Sequence, residues 1–125
     1  MIIDTNALSA AADDDAGIAA AWESADELAI PVIVLGEYRY GIAQSRQRAR
    51  YLEWLDELVA DCRILDIKEA TTHHYAAINL ELRRAGNPIP TNDLWIAALC
   101  RQHKLPLLSR DGHFDLVDGL QRVHW

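Results

Sequence analysis

Four short stretches of this chain, residues 1–4, 30–34, 62–66 and 105–109, are rich in Ile, Val and Leu and do not alternate with polar residues. A strand with one wet face alternates. A strand covered on both faces does not, and such strands belong to parallel sheets packed between helices. A fifth stretch, from Gln121 to His124, is a further strand candidate. The intervals carry helical periodicity. Ile18, Ala21, Trp22, Ala25 and Leu28 recur at helical spacing over 16–28, with Asp15 placed as N-cap. Tyr51, Leu52, Leu55, Leu58 and Val59 do the same over 46–60. Asp66, with Glu69 at the capping-box position, opens a helix over 67–85; Gly86 suits its C′ position, and Pro88 and Pro90 prevent its continuation. Thr91 or Asn92 caps the next helix. Strands and helices in this order predict an α/β fold, a three-layer α/β/α sandwich around a mainly parallel sheet of about five strands.

A length of 125 residues predicts one domain over 1–125, long enough for a core. No apolar run approaches the ~20 residues needed to span a bilayer. The first strand begins at residue 1, leaving no room for a targeting segment, and a cytoplasmic protein without membrane association is expected. Cys62 and Cys100 are isolated thiols without metal spacing, expected to be reduced and mostly buried. The net charge of −7 counts against simple electrostatic capture of nucleic acid, so any such contact needs local basic clusters or a bound cation.

Four acids stand where such a sheet gathers ligands, at the carboxyl ends of its strands. Asp4 ends the first apolar run, Glu37 follows the run Ile30–Leu35, Asp93 opens an apolar helix, and Asp111 follows Leu105–Ser109. Each has an ordinary structural explanation: an Asx turn for Asp4, a solvated helix face for Glu37, a helix N-terminal acid for Asp93, and an Asp-Gly turn for Asp111. Together at one edge they would repel one another unless a cation held them. Oxygen-only donors point to a hard divalent ion, Mg²⁺ or Mn²⁺. One ion or two is left open, and Asp115, four residues on, competes with Asp111 as the fourth acid. Thr5 and Asn6 either cap the following helix or orient bound water. Asn92 and Ser109 are also placed to support the acids.

The chain resembles the PIN-domain family, specifically VapC-like toxins of bacterial and archaeal toxin–antitoxin pairs. Ile2-Ile3-Asp4-Thr5-Asn6 resembles the first acidic motif, and Val34 through Gly41 the second. Gly86 through Ala98 resembles the third and is the most specific stretch, and Leu107 through Phe114 resembles the fourth. The resemblance implies that Asp4, Glu37, Asp93 and Asp111 bind Mg²⁺ or Mn²⁺ and support endoribonuclease activity. It also implies a homodimer blocked by a small cognate antitoxin. Ser109 stands where the family more often has Thr and keeps the hydroxyl. Trp22, Leu28, Tyr38, Tyr40, Tyr51, Trp54 and Leu55 are candidates for an antitoxin groove, most of them expected in the core.

The leading expectation is therefore a metal-dependent ribonuclease. The alternative is a catalytically degraded module of the same fold that serves to bind an antitoxin or other protein. Arg110, beside Asp111, either contacts a substrate phosphate or turns away to pair with an acid. Arg46, Arg48 and Arg50 are read as a solvated helix face, with Glu53 as a partner for Arg50. The five histidines, His113 near the site included, are expected to be surface or packing residues. An aspartyl phosphotransferase is disfavoured because Asn6 stands where that chemistry needs a second acid.

Overall fold

The structure is a computed structural model describing all 125 residues. Its elements run β1 (Ile2–Ile3), α1 (Thr5–Ala12), α2 (Ala16–Glu23), β2 (Ala29–Pro31), α3 (Val32–Ala43), α4 (Arg48–Asp61), β3 (Arg63–Leu65), α5 (Glu69–Arg84), α6 (Thr91–His103), β4 (Leu107–Leu108), a 3₁₀ helix (Gly112–Leu116) and β5 (Arg122–Val123). All strand pairs are parallel, in the order β3-β2-β1-β4-β5. The expected sheet is present. Ile2, Ile3, Ile30, Leu107 and Leu108 are wholly buried, as strands covered on both faces require.

Two boundaries depart from expectation for physical reasons. The run Ile30–Leu35 is not one strand: β2 stops at Pro31, and Val32 begins α3. Proline pairs as the last strand residue and then, with extended backbone, stands as the N-cap of the helix. Asp66 does not cap α5. The N-cap is Lys68, whose backbone N–H donates to Thr71 Oγ1 at 3.1 Å, and Thr71 in turn donates to Gln102 Oε1 on α6 at 2.6 Å. Likewise Pro90, not Thr91 or Asn92, is the N-cap of α6. Asp15 caps α2 as expected, accepting from Gly17 N at 2.8 Å. Gly86 sits at φ +73° after α5, the left-handed C′ position that glycine occupies without steric cost.

The most buried helix is α6, in which Leu94, Ile96, Ala97, Ala98, Leu99 and Cys100 are all in the core. A buried helix fixes its first turn rigidly, and that turn carries Asp93. No helix is long and apolar enough to cross a membrane.

Candidate metal centre at the carboxyl edge of the sheet

The chain leaves β1 toward β2 on one side, while β4 flanks β1 on the other, so β1 and β4 meet where the strand order reverses. Open α/β sheets bind ligands in the crevice at such a point. The register dictates what meets there. Ile2 pairs with Leu107 and Ile3 with Leu108, and Asp4 N donates to Leu108 O at 3.1 Å. The next residues on the two strands are Asp4 and Ser109, and Ser109 Oγ donates to Asp4 Oδ2 at 2.6 Å.

Asp4 is 5 % exposed and caps α1. Its Oδ1 accepts from Thr5 N at 2.8 Å, and its Oδ2 from Asn6 Nδ2 at 2.9 Å as well as from Ser109. A carboxylate offers about four lone pairs, so Oδ1 keeps one for a further partner. Burial pushes the Asp4 carboxyl above its ordinary range; the bonds from Ser109 and Thr5 oppose that, and the Asp111 charge adds to it.

Asp93 occupies the third position of α6, where the unpaired N–H groups favour a carboxylate. Even so, burial first, then the charges of Asp111 and Asp4, raise it to about 6, with His113 opposing. Asp111 caps the 3₁₀ helix, accepting from His113 N at 2.9 Å, and its own N–H donates to Ser109 Oγ at 3.0 Å. Phe114 is wholly buried and anchors this short helix beneath the site. The arrangement leaves His113 Nδ1 3.2 Å from Asp111 Oδ1 and 3.4 Å from Asp93 Oδ2. Ligand atoms of Asp93, Asp111 and His113 all lie within 4.8 Å of one another.

The sequence-predicted residues therefore fall into three sets. Asp4, Asp93 and Asp111 share one site electrostatically, with Thr5, Asn6 and Ser109 bonded directly to its carboxylates. Glu37 is joined to it through Thr5, whose Oγ1 donates to Glu37 Oε1 at 3.1 Å. Glu37 faces an adjoining cavity of about 250 Å³, lined also by Ser9, Asp13, Tyr38 and Tyr51. Asp115, Arg110 and Asn92 are outside. Asp115 forms a bidentate pair with Arg122 at 2.7 Å for both bonds, while Arg122 Nη1 also donates to Ser109 O. The Arg110 side chain turns away to Asp15 Oδ2 at 3.2 Å and lies over the Trp125 ring, although its backbone N–H donates to Asn6 Oδ1. Asn92 is exposed at the second position of α6. The expected Arg50–Glu53 pair does not form: Arg50 instead donates to Gln47 Oε1 and to the Ala12 carbonyl at the end of α1.

His113 is the residue that reading by spacing missed. No second histidine stands at ligand spacing to it, so spacing alone places it among surface or packing residues. The available signal was its place two residues after Asp111 in a turn anchored by Phe114.

A second concavity, of about 280 Å³, lies between α1, α2 and α4 and is lined by Ala11, Ile18, Trp22, Trp54 and Leu58, with Asp14 and Glu23 beside them. Of the candidate groove residues, Tyr38 and Leu55 are buried, Trp22 and Trp54 half-buried, and Tyr40 67 % exposed.

The PIN-domain family model matches residues 1–120. Ribonuclease VapC5 of Mycobacterium tuberculosis is 34% identical over 101 residues, covering 78% of this chain and 74% of that protein. The tRNA(fMet)-specific endonuclease VapC of Shigella flexneri is 29% identical over 100 residues, covering 79% and 76%. Among solved structures, VapBC2 from Rickettsia felis bound to a DNA fragment from its promoter superposes with a TM-score of 0.86 at 25% identity, covering 99% of this chain and 97% of that one.

Proposed function

The chain belongs to the PIN-domain family, and from that premise we propose that it is a divalent-metal-dependent endoribonuclease, the toxin of a toxin–antitoxin pair. The observation that carries the reading is the meeting of Asp4, Asp93 and Asp111 at the β1–β4 crevice, where the charge of Asp111 raises the proton affinity of Asp4 and the charges of Asp111 and Asp4 raise that of Asp93. Carboxylates crowded together and largely withdrawn from water suit a site that takes up positive charge.

The donor set fits a hard divalent cation, Mg²⁺ or Mn²⁺. Asp93 and Asp111 present oxygens within ligand spacing, Asp4 Oδ1 keeps a lone pair, and the cluster contains no cysteine that would favour a softer ion. A bound divalent cation supplies Lewis acidity toward the phosphodiester and lowers the pKa of water. The protein's own part is orientation. Ser109, Thr5 and Asn6 lock the Asp4 carboxylate in one rotamer, and the buried α6 fixes Asp93. Glu37, outside the three-acid cluster and at the mouth of the adjoining cavity, is the carboxylate available to take a proton from the attacking water. Water attack leaves a 3′-hydroxyl and a 5′-phosphate.

The partners follow from the same reading. Relatives of this fold occur as complexes with VapB antitoxins. The apolar concavity between α1, α2 and α4, flanked by Asp14 and Glu23, suits an antitoxin segment with apolar anchors and basic neighbours. A homodimer is the proposed assembly.

The test uses full-length protein freed of antitoxin. Asp4→Asn and Asp93→Asn each abolish Mn²⁺ binding by calorimetry and cleavage of total RNA, while circular dichroism shows an intact fold. End mapping on the wild-type products finds 5′-phosphates. Undiminished cleavage by either variant rejects the mechanism.

A further inference from the structure

We propose that His113 is itself a metal ligand, so that the site is a mixed nitrogen–oxygen site that favours Mn²⁺ and later first-row ions over Mg²⁺. The inference rests on the metal-site reading above and specifies its chemistry.

Geometry carries it. With ligands about 2.1 Å from an octahedral ion, neighbouring donors lie about 3.0 Å apart and opposite donors about 4.2 Å. His113 Nδ1 stands 3.2 Å from Asp111 Oδ1 and 3.4 Å from Asp93 Oδ2, and one ligand atom from each of the three residues lies within 4.8 Å of the other two. The two measured spacings are close to those of neighbouring donors around one ion. As hydrogen bonds they sit at the long edge of the usual N···O range of about 2.7–3.2 Å or just beyond it, and one ring N–H shared between two carboxylates serves neither well. The ring is held there by two neighbours: Asp111 accepts from the His113 backbone N–H, and buried Phe114 pins the next residue. The imidazole is half exposed, so the ion's remaining positions open to solvent and substrate.

The chemical consequence is selectivity. Mg²⁺ prefers oxygen and gains little from an imidazole, whereas affinity for nitrogen rises along the series from Mn²⁺ through Co²⁺ and Ni²⁺. An imidazole that merely braced Asp111 by hydrogen bonding would tune all of these ions alike. A ligand does not.

The experiment compares wild type, His113→Ala and Asp93→Asn, each full length and antitoxin-free. Calorimetric titrations with MgCl₂, MnCl₂ and CoCl₂ give the affinities, and pulsed electron paramagnetic resonance of the Mn²⁺-loaded protein reports nitrogen coordination. His113→Ala weakens Mn²⁺ and Co²⁺ roughly tenfold or more but Mg²⁺ by less than about threefold, and it removes an imidazole-nitrogen modulation present in the wild type. Absence of that modulation in Mn²⁺-loaded wild type, or equal losses for all three ions, overturns the assignment. Asp93→Asn separates the two readings. If it abolishes binding while His113→Ala changes nothing, only the His113 inference fails. If it leaves binding intact, the metal site itself is misplaced.

Discussion

The Ser109 hydroxyl is committed three times. It donates to Asp4 Oδ2 and accepts from Asn6 Nδ2 and Asp111 N, joining the first and fourth acidic motifs through one wholly buried residue. A hydroxyl has one donor and two acceptor positions, so its capacity is full. Ser109→Ala leaves two donors and a buried carboxylate oxygen short of a partner, a loss of about 1–3 kcal/mol. Thermal melting should fall by roughly 5–10 °C, and RNA cleavage should drop with it; a melt within a degree of wild type would show the network to be dispensable. Ser109→Thr keeps the hydroxyl and retains activity. This network was partly legible in the sequence. Asp4 and Ser109 each end an apolar run, and a parallel sheet places such ends side by side. The pairing itself needs the β1–β4 register, which no local pattern encodes. His113 escaped for the same reason, because its partners Asp93 and Asp111 converge only through tertiary packing.

Helix α6 bears the site's most strongly shifted acid and is also the best-buried element, so its integrity governs both stability and geometry. Leu99 is wholly buried among residues of the core. Leu99→Ala removes that side chain and leaves a cavity, costing about 2–5 kcal/mol, which denaturant titration reads as a lowered midpoint with an unchanged slope. The helix ends on Lys104 at φ +54°. A non-glycine residue there carries a left-handed cost of about 1–2 kcal/mol, offset by the extra chain entropy glycine would lose. Lys104→Gly should therefore stabilise by about 0.5–1 kcal/mol, raising the melt by a few degrees without touching the site. Such an element is easy to read from sequence, since Pro88 and Pro90 precede it and its apolar residues run on without a polar face. Helix α3 was harder. Val32, Ile33 and Val34 are strand formers by propensity, and only Pro31, which leaves an extended strand and then caps a helix, marks the change. Tertiary packing of Val34, Tyr38 and Ile42 into the core overrides the local preference.

The fold carries a built-in electrostatic debt at its carboxyl edge, and the sign of that debt is testable. In the folded chain Asp93 is raised from 3.8 to about 6, so between those values the folded protein binds more protons than the unfolded one. Stability from this group is full below pH ~4 and is lost as pH rises through about 6, at most about 3 kcal/mol. Asp4 is shifted in the same direction. Asp115, held low by its bonds to Arg122, works the opposite way, contributing stability above the ordinary aspartate range that is lost in acid. The difference between wild type and Asp93→Asn cancels Asp115 and isolates the site. In chelator, wild type should lose stability relative to Asp93→Asn from pH 4.5 to 7.5, by a melting difference of up to roughly 10 °C. Divalent ion should reverse this, because it binds the ionised carboxylates. At about a hundred times its dissociation constant an ion adds about 2.7 kcal/mol, close to what deprotonation removed. The Mn²⁺-induced rise in melting temperature should therefore be large at pH 7.5, small at pH 5, and absent in Asp93→Asn at either. A rise of equal size at both pH values would mean that the ion binds elsewhere, and that these acids are crowded together for some reason other than holding it.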